Sequence, residues 1–252
     1  MADGLAHEPS CFFEVDGGVS IVRRAFVEAV GTCLLAVAMV GSGLAVQQKL
    51  AGEPIGASLV IALSIAGSLV ALIVALGKVS GGHYNPLITL GQWLRSERAT
   101  ACTLAYVTAQ MVGGLLGATI STLMFDRAPH PSWGTVSDPT LLLSEFVAST
   151  GLLIIVIGCG RSSKRETGPF AVGAWLVAAI IATPSASFAN PAVTLAAIFA
   201  DGAVSLNAGT AVTYVVAQIF GLLAALVITK IAFESKSYMR AAGSSPAGGE
   251  RE

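Results

Sequence analysis

Two Asn-Pro dipeptides, Asn85-Pro86-Leu87 and Asn190-Pro191-Ala192, are the residues of this chain best placed to do chemistry. They sit in closely matched segments, GHYNPLITL and SFANPAVTL. The chemistry is hydrogen bonding. An Asn at a helix N-cap gives its side-chain oxygen to a free backbone N–H, and Pro suits the first helical position because no donor is lost there. Each Asn amide nitrogen is then left to donate to an oxygen of a neutral solute. A lone Asn-Pro usually marks a turn or a helix start. A pair, one in each half of an apolar chain, predicts two half-helices whose N-terminal ends meet inside a bilayer and border a pore.

Two carboxylates come next. Glu28 and Glu145 lie deep in apolar spans, where insertion of such a charge costs ~2.5–3.5 kcal/mol. One reading is a proton relay, which would make the chain a proton-coupled secondary transporter of a small solute. The other is that each carboxyl anchors free backbone N–H groups of a re-entrant loop. One glutamate per half favours anchoring, and the transporter stands as the alternative. His83, two residues before Asn85, could line or gate an inner mouth. Its partner in the second half is Phe188, which favours a hydrogen-bonded scaffold role. Four cysteines, Cys11, Cys33, Cys102 and Cys159, show no metal-ligand spacing. No nucleophile-base pair or Gly-rich phosphate loop is present. The chain therefore reads as no enzyme, with no metal and no cofactor.

The elements that position these residues are apolar helices. Charged residues make up 12% of the 252 and hydrophobic ones 54%, with a mean hydropathy of +0.76. A soluble domain carries about twice that charge. Apolar stretches near 25–46, 57–77, 100–124, 140–160, 169–186 and 208–233 are each long enough to cross ~30 Å of hydrocarbon. The expectation is an all-α, multi-pass membrane protein of six spans. Residues 1–20 and 236–252 read as flexible tails, the first without the features of a cleaved signal. With the N-terminus inside, twelve of the fourteen Lys and Arg fall inside and only Lys49 and Arg127 outside. This bias places both termini in the cytoplasm. The net charge of −1 says little about partners; the expected ones are the bilayer, water and a small neutral solute, with no nucleic acid.

The chain reads as one channel domain, 1–252, built from repeats at about 21–124 and 140–233. FVEAVGTCLLAV matches LSEFVASTGLLI through Glu28 and Glu145, the two Asn-Pro segments match, and YVTAQMVGGLLGA matches YVVAQIFGLLAAL through Gln110 and Gln218. The offsets are 117, 105 and 108 residues. Each half has three spans, an odd number, so the second half is inverted relative to the first. About ten apolar residues follow each Asn, a reach of ~15 Å and half the bilayer core. Gly113-x-x-x-Gly117 and Gly221-x-x-x-Ala225 read as close helix packing. Gln110 and Gln218 read as ties between spans and loops.

The paired Asn-Pro motifs, the SGGHYNP lead-in, both span glutamates and both AQ segments resemble the aquaporin, or major intrinsic protein, family over about residues 21–233. That resemblance implies an hourglass of six transmembrane helices plus two re-entrant half-helices. It also implies a homotetramer in the inner or plasma membrane, with one passive pore per subunit for water and small neutral solutes. Leu87 departs from the family's usual Ala and could alter packing or lumen contact. Transfer of the family's four constriction positions gives Ile65, Ala178, Ser187 and Val193. Water channels usually place an aromatic at the first, His at the second and Arg at the fourth. Losing them implies a wider, uncharged opening, with cation exclusion resting more on the half-helix dipoles. Channels lacking that Arg include bacterial relatives associated with arsenic-resistance operons. The likeness of SFANPAVT to their second motif implies arsenite or methylated arsenicals, or else glycerol, urea or another neutral solute.

Overall fold

A computed structural model describes residues 18–50, 52–129, 131–134 and 138–233. Of the two expected tails, residues 1–17 and 236–252 lie outside the described residues, as does Cys11. Among the described residues eight α-helices follow one another: α1 (Ile21–Lys49), α2 (Pro54–Ser80), α3 (Pro86–Leu94), α4 (Thr100–Met124), α5 (Pro139–Gly160), α6 (Gly168–Ala182), α7 (Pro191–Ala196) and α8 (Ala208–Phe233). α1, α2, α4, α5 and α8 are long and apolar enough to cross a membrane.

The ends of these helices follow from local sequence. Ser20 caps α1 by accepting from the Arg23 N–H, Asp138 caps α5 by accepting from Thr140, and Pro54 and Pro139 open α2 and α5. α2 stops at Gly81, whose φ of 93° suits glycine. α6 is shorter than the expected 169–186 span, at 15 residues. Pro184 is the reason: a residue before proline is driven out of helical geometry, and Thr183 is extended with ψ 138°. The second half-helix is also shorter than expected. α7 holds six residues and then tightens into a 3-10 turn over Ala197–Phe199. There the Ala197 carbonyl is captured by the returning N–H of Leu206 at 3.1 Å.

α1 packs chiefly on α4, α5 chiefly on α8, and α2 meets α6 between the two pairs. The pairing repeats the sequence halves. A Cβ on Gly113 or Gly117 would overlap the carbonyls of Ala29 and Cys33 on α1. One on Gly221 would lie 2.7 Å from the Phe146 carbonyl on α5. Small residues here let helix backbones touch, the packing that replaces a hydrophobic driving force in lipid. The α1 start and α8 end share one face, the terminal face. α3 returns to that face and α7 to the opposite one, so the half-helices point their N-termini at each other.

The second half is not a copy of the first. α7 packs broadly on α4 because Gly114 sits against the Ala192 carbonyl. The corresponding pair is Leu222 and Leu87, and α3 makes fewer contacts with α8. Leu87 is fully buried. Its bulk goes into helix packing rather than into the lumen.

Candidate functional site

The site is built outward from the two glutamates. Glu28 of α1 is fully buried and accepts four hydrogen bonds: from Ser80 Oγ at 2.6 Å, the His83 and Tyr84 N–H groups at 3.0 and 2.7 Å, and Gln110 Nε2 at 2.7 Å. Glu145 of α5 repeats the pattern with Ser185 Oγ at 2.6 Å, the Phe188 and Ala189 N–H groups at 2.9 Å each, and Gln218 Nε2 at 2.7 Å. Hydrogen bonds to a charged acceptor contribute roughly 1.5–3 kcal/mol each. Four of them outweigh the insertion cost of a carboxylate, and two of the four in each half come from backbone N–H groups of the loop before an Asn-Pro motif. Neither glutamate borders the central cavity.

Gln110 and Gln218 carry the tie further. Their Nε2 atoms also reach Thr89 Oγ1 at 3.0 Å and Thr194 Oγ1 at 2.9 Å, on α3 and α7. Ser80, Ser185, Thr89 and Thr194 were not singled out from sequence. The signal was present, since each pair is separated by the same 105 residues as the Asn-Pro motifs.

The anchored loops hold unusual backbone. Gly81 and Gly82 have positive φ, and so do Ala186 (58°) and Ser187 (49°) at the equivalent places. Tyr84 (47°) and Ala189 (43°), just before each Asn, do likewise. These turns present the His83, Tyr84, Phe188 and Ala189 N–H groups to the two glutamates, and set Asn85 and Asn190 as caps. Asn85 Oδ1 accepts from the Leu87 N–H at 2.9 Å, and Asn190 Oδ1 from the Ala192 N–H at 3.1 Å. Each Nδ2 donates across the midplane, Asn85 to the Ala189 carbonyl and Asn190 to the Tyr84 carbonyl, both at 2.8 Å. An amide nitrogen has two hydrogens. One is therefore fixed in the scaffold, and one remains for the lumen. Pro86 and Pro191 follow at the first helical position.

Asn85 and Asn190 border a cavity of about 430 Å³ that runs from the face opposite the termini past the midplane. Its wall includes Ile65, Ser187 and Val193, together with Leu152, Leu176, Ile180 and Phe188. Among the described residues, no Asp, Glu, Lys or Arg side chain lines it. One wall is apolar and the other is the polar 184–190 loop. Ser187 is buried with no partner for its hydroxyl among the described residues. Ala178 is not in the wall: it lies on the exposed side of α6, with Leu176 and Ile180 facing inward instead. Those two are four apart and share a helix face, whereas residue 178 points away from both. Counting twelve back from Asn190 crosses the end of α6 at Ala182 and the irregular loop that follows it.

His83 borders the same cavity near the terminal face, with Nδ1 2.8 Å from Thr89 Oγ1 and its ring edge-on to Tyr106 at 5.5 Å. Phe188 and Tyr214 form the equivalent pair at 6.0 Å. An imidazole hydrogen-bonded to Thr89 in the first half thus stands where a phenyl stands in the second. No group of three His, Cys, Asp or Glu that could hold a metal occurs among the described residues, and Cys33, Cys102 and Cys159 are free thiols.

Comparison with known proteins agrees with this geometry. Residues 17–141 match the family model described as Major intrinsic protein. The chain is 35% identical over 211 residues to "Aquaglyceroporin AqpS" of Rhizobium meliloti (strain 1021), covering 83% of this chain and 90% of that protein. It is 28% identical over 175 residues to "Aquaporin Z" of Photorhabdus laumondii, covering 62% and 74%. The X-ray structure of the aquaglyceroporin from Plasmodium falciparum superposes with a TM-score of 0.65 at 18% identity, covering 89% of this chain and all of that one.

Proposed function

We propose that this chain, which belongs to the major intrinsic protein family, admits neutral hydroxylated solutes larger than water through a constriction that carries no charge. The broader function is that of a multi-pass membrane channel for water and small neutral solutes, not an enzyme. The observation carrying the finer reading is the absence of any Asp, Glu, Lys or Arg among the described residues of the cavity wall, with Val193 where water channels of this family usually carry Arg.

In this reading Ile65, Ser187 and Val193 form the constriction, with Leu176 and Ile180 supplying the side first assigned to Ala178. Ser187 offers one hydroxyl, each Asn offers one N–H, and the aliphatic wall faces the carbon or methyl side of the solute. Such a lining compensates desolvation without a binding trap, as conduction requires. Glycerol fits this chemistry, as do arsenite, a neutral trihydroxide near pH 7, and methylated arsenicals. The similarity to proteins named as aquaglyceroporins supports the polyol. The positive-inside bias supports cytoplasmic termini in an inner or plasma membrane, and family membership supports a homotetramer.

The test is a proteoliposome panel of water, glycerol, urea, arsenite and methylarsenate on wild type and Val193→Arg. The reading expects flux of the larger solutes in wild type and a loss of roughly tenfold or more in the variant, a barrier change of about 1.4 kcal/mol, with water affected least. Equal solute flux in the two proteins overturns the constriction assignment.

A further inference from the structure

Met39, Gly43 and Val46 stand at helical spacing on one face of α1. Met39 and Val46 border the cavity, and Gly43 between them does not. Val204 takes its place. A Cβ on Gly43 would lie 3.0, 3.1 and 3.5 Å from Val204 Cγ1, Cγ2 and Cβ, the three nearest atoms outside the helix backbone. Val204 is buried and itself borders the cavity. It therefore fills the notch over Gly43 and completes the lumen wall there.

The segment that carries Val204 is clamped. The Asp201 carboxylate accepts from the Gly202 N–H at 2.8 Å and from Arg127 Nη1 at 3.1 Å. Gly202, with φ 82°, passes so close to α1 that a Cβ would lie 2.9 Å from Gln47 Oε1 and 3.0 Å from Leu44 Cδ2. Gly202–Val204 then makes one 3-10 turn. A β-branched side chain has little rotamer freedom of its own. With its backbone held and α1 behind it, Val204 projects by a fixed amount. The same region also borders a second, open pocket of about 530 Å³ on the outer face. Val46, Pro54, Ala57, Ala203 and Ser205 belong to both walls and mark the boundary between that pocket and the lumen. None of the five is charged. The position 105 residues before Val204 is Ala99, which is exposed. The plug therefore belongs to the second half alone.

We propose that Val204 is a size-selecting residue at the lumen mouth, in series with the constriction, and that Gly43 is the positioning residue that sets how far it projects. Any side chain at position 43 lifts Val204 off α1, and the open side is the cavity. The class selected is neutral solutes, sorted by width. Water passes, while polyols of glycerol size and above meet the projection first. The inference rests on the reading that such solutes use this lumen, but not on which residues form the constriction.

The experiment compares wild type, Gly43→Val, Val204→Ala and the double variant in proteoliposomes. Glycerol and erythritol permeabilities are read as ratios to water. A loss of folded protein lowers all three fluxes together and leaves the ratios alone. Gly43→Val is expected to lower the glycerol ratio roughly tenfold or more. Val204→Ala is expected to raise the erythritol ratio several-fold. The double variant is expected to recover a glycerol ratio within about twofold of wild type, because the two residues act through one contact. An unchanged ratio in Gly43→Val overturns the proposal, as does a double variant as restrictive as Gly43→Val. Should Gly43→Val fail to fold, Val204→Ala decides alone, and an unchanged erythritol ratio overturns it. A wild type that passes water but no glycerol contradicts the larger-solute reading. Val204→Ala still decides this inference there: glycerol entry supports it, and continued exclusion overturns it.

Discussion

Asn85 and Asn190 hold each other in place through the opposite loop: each Nδ2 donates at 2.8 Å to the carbonyl of the residue just before the other Asn. The two half-helices are thus joined at their N-termini by reciprocal bonds, and neither loop can shift alone. Their capping oxygens fix the amides in plane, leaving the second hydrogen of each directed at the cavity both residues border. The same geometry that positions the donors also closes the gap between the halves.

Asn190→Asp separates these roles. The carboxylate keeps the cap on Ala192 but has no hydrogen for the buried Tyr84 carbonyl. The expected cost is about 1–3 kcal/mol for that unpaired acceptor, read as a lower unfolding temperature in detergent. The new negative charge, placed against two helix N-termini, is also expected to admit potassium into liposomes that wild type keeps tight. A variant as stable and as cation-tight as wild type refutes the cross-loop role.

Glu145→Gln tests anchoring against proton coupling. The carboxylate faces four donors, so an amide nitrogen in its place must confront at least one N–H or O–H. A loss of about 3 kcal/mol follows from the lost acceptor and stranded donor, with the same expected for Glu28→Gln. Wild-type glycerol flux is expected to be linear in concentration and unchanged by a proton ionophore. Saturating flux that collapses with the ionophore, together with a stable but inactive Glu28→Gln, would restore the transporter alternative.

Much of this was legible in sequence because the repeats could be compared with each other. Glu28 with Glu145, Gln110 with Gln218 and the Asn-Pro pair each pointed to a common anchor, and the structure assembles them into two matching networks. Ser80 and Thr89 were missed because single hydroxyls carry no pattern until aligned with Ser185 and Thr194. Ala178 was misplaced for a different reason. Its assignment relied on counting across a loop, and one residue of register on a helix turns a side chain by about 100°. The strained backbone at Ala186 was likewise hidden, since only the glycines of the first loop announce a positive φ.

The α6 register has a direct test. Ile180→Trp is expected to cut glycerol flux at least about tenfold by filling the cavity, because Ile180 forms part of its wall. Ala178→Leu, on the exposed side of the same helix, is expected to leave flux per folded chain unchanged. Swelling rates normalised to protein content decide it. Block by the Leu variant and not by the Trp variant would return position 178 to the lumen.

Ala186, which borders the cavity with nothing larger than a methyl group, offers a stabilising change. Its φ of 58° lies in the left-handed region, where Gly81 stands in the first loop with φ 93°. A residue with a Cβ is strained there by roughly 1–2 kcal/mol, and the loop holds it only because Glu145 binds the N–H groups of Phe188 and Ala189. Ala186→Gly relieves the strain but enlarges the conformational freedom of the unfolded chain, an opposing effect of about 0.4–1 kcal/mol. The strain is the larger, so the variant is expected to gain about 0.5–1 kcal/mol in unfolding free energy, with glycerol flux unchanged. Gly81→Ala should lose a similar amount. Because Glu145 sets the loop and not residue 186, the gain should vanish in a Glu145→Gln background, where the loop is free to relax. A gain that persists there would mean that the strain has a source other than the carboxylate anchor.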